Sequence, residues 1–234
     1  MVEIETILLK SDVMFLHEYR LQETLDLLKT LDQTNVQVLY RLVRCCYQMS
    51  KRETKRNVKT ELIKNAFQYA QDALKIDNEC SEVHAWYAVA LDTISEFNGI
   101  KERIMKLKDV KYHMMKAIEL NPKEPIPFYI YGLFHFGLAE LAWYEKLILE
   151  SIICDPPVGS YEKALESFLQ AEKNQPNFYS VNKLMIAKCF IALKNYEKAE
   201  VYLKLAVDIQ IKNDDDAECH EESKKLLNKI KKYL

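Results

Sequence analysis

Three stretches of the chain concentrate cations: Lys51, Arg52, Lys55, Arg56 and Lys59; Lys101, Arg103, Lys106, Lys108 and Lys111; Lys224, Lys225, Lys229, Lys231 and Lys232. Clusters of this kind attract an acidic partner through a field reaching roughly 8–10 Å at physiological salt, and that attraction weakens as salt rises. Any one of them alone reads as the solvated face of a helix, but three on a chain of net charge −2 together point to docking of an acidic surface. That balance carries no sign of a nucleic-acid or membrane partner.

Chemistry of other kinds finds little to build on. His84 and His135 stand where helical periodicity places core side chains, so both read as packing histidines, whereas His17, His113 and His220 have more polar neighbours. With four glycines there are few places for backbone amides to cradle an anion, and no P-loop, G-x-S-x-G, H-E-x-x-H or EF-hand pattern occurs. The acidic run Asp214, Asp215, Asp216 with Glu218 reads as a helix start, because Asp215 and Glu218 have the spacing of a capping box and Lys229, Lys231 and Lys232 suit the opposite helix end. The six cysteines include no C-x-x-C pair and fall largely on apolar faces, which fits reduced thiols in the cytoplasm and no zinc site. We therefore assign no catalytic residue, metal or cofactor. An enzyme would need convergent titratable groups in a polar cleft, with His113, His135 and Glu140 the residues to watch.

These side chains must be positioned by helices. The chain is 49% hydrophobic and 29% charged, with little Gly or Pro. The start lacks a secretory leader, and no run approaches the ~18 apolar residues of a membrane span, so we expect no membrane segment. Apolar spacing predicts a capping helix over about 13–31, then pairs at 36–50 with 58–76, 82–97 with 100–120, 126–151 with 160–174, and 178–193 with 196–210, and a last helix over 215–232. Asn98-Gly99, Asn121-Pro122, Pro156-Pro157 and Gln175-Pro176 punctuate them, while Pro125 and Pro127 fall in a first turn. Phe128 to Ser151 reads as one buried central helix.

Small residues recur along the second helix of each pair: Ala66, Ala70, Ala73; Ala117 before Pro122; Ala164 and Ala171 before Pro176; Ala199 and Ala206. They let a neighbouring helix approach closely, and their spacing is that of tetratricopeptide repeats, whose period is about 34 residues. The separations between units exceed that period in all but the last, so the first three units are expected to carry insertions between their helices. The expected architecture is all-α: tetratricopeptide-like antiparallel helix pairs stacked in a right-handed superhelix as a single domain over 1–234, with capping regions at 1–35 and 211–234 around four pairs in 36–210. Such a stack presents a concave groove, here lined by Tyr40, Arg44, Tyr47, Val89, Asp92, Tyr129, Leu133, Phe136 and Lys188, suited to a peptide or amphipathic helix unless the capping helices fill it.

The runs Trp143-Tyr144, Asp155-Pro156-Pro157, Tyr161-Glu162-Lys163-Ala164-Leu165 and Gln175-Pro176-Asn177-Phe178-Tyr179-Ser180 resemble the regulator of microtubule dynamics family, as do His84-Ala85-Trp86-Tyr87-Ala88, Gly99-Ile100-Lys101 and Lys116-Ala117-Ile118-Glu119-Leu120-Asn121-Pro122. The resemblance covers about residues 36–210. It implies a non-enzymatic protein that binds tubulin and microtubules, located in the cytoplasm at the cytoskeleton, spindle and spindle poles, with a part in chromosome segregation. Some members carry an N-terminal membrane segment, which is not expected in this chain. A scaffold that reaches microtubules only through another protein is the rival expectation.

Overall fold

The computed structural model describes residues 2–16 and 18–234, and among them every regular element is helical. His17 lies outside the described residues. The helices form two compact units, one up to Leu120 and one from Asn121. The first holds α1 (Val2–Leu16), α2 (Leu21–Lys29), α3 (Val36–Arg52), α4 (Arg56–Ile76), α5 (Ser81–Asn98) and α6 (Ile100–Leu120). The second holds α7 (Pro125–Glu140), α8 (Trp143–Ile152), α9 (Tyr161–Asn174), α10 (Ser180–Ala192), α11 (Tyr196–Val207), α12 (Asp214–Ile230) and a 3₁₀ turn (Lys231–Tyr233).

Within the units, α3 pairs with α4, α5 with α6, α7 with α9 and α10 with α11, while α4 leans on α5 and α9 on α10. The small-residue stripe makes these pairs possible: Ala66, Ala70, Ala73, Ala117, Ala164, Ala171, Ala199 and Ala206 are all essentially buried. On the first helices of the pairs Val43, Ala88, Gly132 and Ala187 are buried too. The tightest approach is at Gly132, where an added Cβ would lie 2.6 Å from Cε1 of the fully buried Phe168 ring. Asparagine and serine side chains start four of the described helices: Asn35 accepts from the Gln37 amide, Ser160 from Lys163, Asn195 from Lys198 and Asn213 from Asp216.

The extra residues of the first two units are taken up as helix length, not as loops. The α3–α4 turn is only residues 53–55, and α5 turns into α6 at Gly99 alone, whose φ of 113° favours glycine. Only the third unit carries a true insertion, made of α8 and the segment 153–160.

Besides the missing insertions in the first two helix pairs, three further expectations need correction. The helix expected over 126–151 breaks at Leu141 and Ala142, because Ala142 is extended and its amide donates to Glu145 Oε2 at 2.7 Å, starting a new helix whose outward face is exposed. The leading helix is two helices, separated by a left-handed Tyr19 at φ 55°. The last helix is capped by Asn213, whose side chain accepts from the Asp216 amide while the Asp216 carboxylate accepts from the Lys212 amide, so the helix starts two residues before the cap expected at Asp215 and without the expected box.

At Gly132, alanine gains up to about 1 kcal/mol of helix propensity but must displace a packed ring at an overpacking cost of about 1–3 kcal/mol. Gly132→Ala is therefore expected to lower unfolding free energy by about 1–2 kcal/mol in urea denaturation; an unchanged or raised midpoint contradicts the tight contact.

Candidate functional site

The first basic stretch forms a corner. Lys51 and Arg52 end α3, Lys55 immediately precedes α4, and Arg56 and Lys59 occupy its first turn. Lys51, Lys55, Arg56 and Lys59 are exposed; Arg52 is half-buried with its guanidinium 4.6 Å from the Tyr19 ring centroid, and the Lys51 ammonium lies 5.9 Å from that of Tyr47. Lys55, Arg56 and Lys59 form no ion pair among the described residues. They sit at the positive end of the α4 dipole, where cations are electrostatically disfavoured. The corner is thus a concentrated positive field that the fold does not neutralise.

The second stretch is partly answered from within. Arg103 donates from Nε and Nη2 to the two carboxylate oxygens of Asp92, both at 2.9 Å, and its Nη1 lies 3.4 Å from Glu96. Two residues expected at different sites therefore hold each other and tie α5 to α6. Lys106 lies 3.5 Å from Asp109; Lys101 and Lys108 are exposed and Lys111 is half-buried. In the third stretch Lys224 is 3.7 Å from Glu221, while Lys225 and Lys229 are exposed on α12.

The expected groove residues also separate. Tyr40 and Arg44 are buried, Arg44 beneath α1: its guanidinium rests 4.1 Å from the Phe15 ring centroid and donates to Asp12, which also takes Arg41 Nη2 at 2.8 Å. Burial would raise the Asp12 carboxyl pKa, but hydrogen bonds and charge from Arg41 and Arg44 win and hold it below its ordinary value. Tyr47 and Val89 are half-buried. In the second unit Tyr129 packs among Phe168, Phe178 and Tyr179, Phe136 lies against Tyr161, Leu133 is exposed, and Lys188 pairs with Glu222 of α12 at 2.7 Å.

His84 and His113 pack between α5 and α6. His84 Nε2 lies 2.9 Å from the Asn78 carbonyl and must donate to it, so its Nδ1 accepts the proton of His113 Nδ1 at 2.8 Å, with the rings stacked. Burial, reinforced by His84, pushes the His113 pKa down to about 4. That shift comes from packing between α5 and α6. His135 is buried edge-on against Tyr131 and Phe134, and Glu140 accepts the Tyr161 hydroxyl. No group of three or more metal-ligating side chains occurs among the described residues, and no described helix is long and apolar enough to cross a membrane. Burial raises the thiols of Cys45 and Cys189 to about 12 and that of Cys46 to about 11, which keeps them protonated.

The family model described as regulator of microtubule dynamics protein 1-3 matches residues 7–231. The chain belongs to that family. Regulator of microtubule dynamics protein 1 of Bos taurus is 32% identical over 230 residues, 96% of this chain and 71% of the relative. The Pongo abelii protein 1 is 33% identical over 197 residues, covering 84% of this chain and 63% of its own length, and protein 2 of Rattus norvegicus is 27% identical over 237 residues, 99% and 57%. The chain thus spans just over half to under three quarters of the length of these relatives. Among solved structures, a thermophilic TPR protein of Thermus thermophilus superposes with a TM-score of 0.67 at 13% identity, over 96% of this chain and 98% of the other, which shows the shared fold.

Two structural centres of this family member escaped the sequence. Asp12 lies ahead of the helix expected from Val13, so its partnership with Arg41 and Arg44 was hidden. Lys183, only 4% exposed, pairs with Glu172 at 3.3 Å and with Asn177, closing the α9–α10 turn; a lysine inside an apolar run was the available signal.

Asp12→Ala leaves Arg44 buried without its carboxylate, so a loss of about 2–3 kcal/mol and faster amide exchange in α1 are expected; protection unchanged in α1 contradicts the clamp. His113 has a folded pKa near 4 against an ordinary 6.5, so the unfolded chain binds the extra proton first. Its stabilisation is complete above about pH 6.5 and is lost as pH falls towards 4. Urea midpoints measured across that window should fall for the natural chain and fall less for His113→Phe.

Proposed function

We propose that this chain is a non-enzymatic microtubule-associated protein that binds tubulin through its cationic corner at the α3–α4 turn. Its family membership and the names of its relatives support a microtubule-related role. The observation that carries the proposed contact is the exposure of Lys51 at the end of α3 and of Lys55, Arg56 and Lys59 at the start of α4, with no carboxylate partner for the last three among the described residues. Acidic C-terminal tails of tubulin supply the complementary charge. Lys101, Lys108, Lys225 and Lys229 add secondary positive surface, and Arg103 does not take part because Asp92 occupies it. We place the protein in the cytoplasm, on the cytoskeleton, spindle and spindle poles, with a contribution to chromosome segregation.

A second reading has one observation in its favour. Tyr129, Leu133 and Phe136 follow one another at helical spacing on α7 and are half-buried or exposed, a surface for a peptide or helix from a regulatory protein. Such a scaffold reaches microtubules only through that protein.

Co-pelleting with purified microtubules over a salt series separates the two. Direct binding is expected, weakening as salt rises, and reversal of Lys51, Lys55, Arg56 and Lys59 to Glu is expected to reduce affinity at least about tenfold, since each reversal replaces attraction by repulsion. Failure of the natural chain to pellet favours the scaffold; unchanged pelleting of the variant removes the corner from the account.

A further inference from the structure

The repeat does not use α8. α7 pairs directly with α9, and of the ten residues of α8 only Leu149 is buried. A helix this short is below the ~12–15 residues at which isolated helices become even marginally stable. It is nevertheless firmly tethered. Glu145 caps its start through the Ala142 amide, and the returning segment is pinned to α7 at Gly159, where a Cβ would stand 2.1 Å from the Ala139 nitrogen.

What this tethered helix presents is apolar. Trp143 is 74% exposed, Tyr144 53%, Leu147 55% and Ile148 41%. The pairs 143/147 and 144/148 are four apart and form two adjacent ridges on one face. Along one edge of that face Lys146 and Glu150 are again four apart, and neither makes an ion pair among the described residues. Glu145, on the other edge, is occupied internally.

We infer that α8 is a self-association face on which a second copy of this chain docks its own α8 antiparallel. A two-fold axis near Ile148 sets Lys146 opposite Glu150 of the other copy, and Glu150 opposite its Lys146, while each Leu147 lies beside Ile148 of the other helix and each Trp143 reaches its Ile152 end. One patch thereby satisfies itself, as an isologous interface requires. A lipid surface fits less well, because interfacial helices carry Lys and Arg around the apolar face and here two of the three charges are Glu145 and Glu150. A fully buried aromatic contributes about 150–250 Å², so the four side chains offer roughly 400–500 Å² per copy, about half of the ~800 Å² that each partner gives to a standard interface. The dimer is accordingly weak and concentration-dependent.

Sedimentation velocity of the full chain from low to high micromolar concentration tests this. The natural chain is expected to shift reversibly from monomer towards dimer, and W143S/L147S, both at exposed positions, to remain monomeric with an unchanged melting temperature. K146E and E150K should each weaken association, and K146E/E150K together should restore it. A natural chain that stays monomeric, association that survives W143S/L147S, or a double reversal that fails to restore it overturns the proposal. So does the outcome in which anionic phosphatidylserine-containing vesicles bind the natural chain through Trp143 while no dimer forms. The microtubule reading is independent of all these results.

Discussion

The distance between paired helices governs this molecule. Alanine and glycine along α4, α6, α7, α9 and α11 bring backbones close enough that side chains such as Phe168 are wholly enclosed. Close packing on this scale leaves no slack, since interiors are as dense as organic crystals. Residues beyond the repeat length then have only the helix ends to go to. In α3 and α4 they extend both helices to a three-residue turn, and that is where Lys51, Lys55, Arg56 and Lys59 crowd together. A packing constraint in the core thus produces a charge concentration at the rim.

Charge is used in two ways, which the fold separates. Arg41 and Arg44 hold α1 through Asp12, Arg103 ties α5 to α6 through Asp92, Lys183 closes the α9–α10 turn on Glu172, and Lys188 holds α12 through Glu222. These cations are spent on joining elements, and their pairing removes them from any external field. Lys55, Arg56 and Lys59 at the α3–α4 corner make no ion pair among the described residues. A protein of nearly balanced net charge can therefore offer a strongly positive surface, because its neutralising carboxylates are placed elsewhere. The same division holds for α8, whose Glu145 works inside the chain while Lys146 and Glu150 do not.

The family match over residues 7–231 takes in the helices of both units, including α1 and α12 beyond the repeat core. α1 covers Arg44, and α12 engages Lys188. Side chains that a repeat register assigns to a concave surface are in these places joined to the terminal helices, so the exposed corners and edges of the pairs carry more of the available chemistry than the inner faces do.

The repeat itself was legible, and for a physical reason: a stripe of Ala at helical spacing has no other economical use than close helix contact, and Ala66, Ala70, Ala73, Ala164, Ala171, Ala199 and Ala206 are all buried as that spacing requires. Breakers at Gly99, Asn121-Pro122 and Gln175-Pro176 likewise act locally, through φ and the missing proline amide, and ended helices where they stood. What could not be read was a local choice that propensity leaves balanced, or anything decided between distant segments. The split of α7 from α8 turns on Glu145 reaching back to the Ala142 amide in competition with a continuous helix, and local propensity does not rank those two. Which basic residues remain available was settled in part only by tertiary structure, because Lys101 and Arg103 look alike along the chain until Asp92 of α5 arrives beside Arg103 at ion-pair distance.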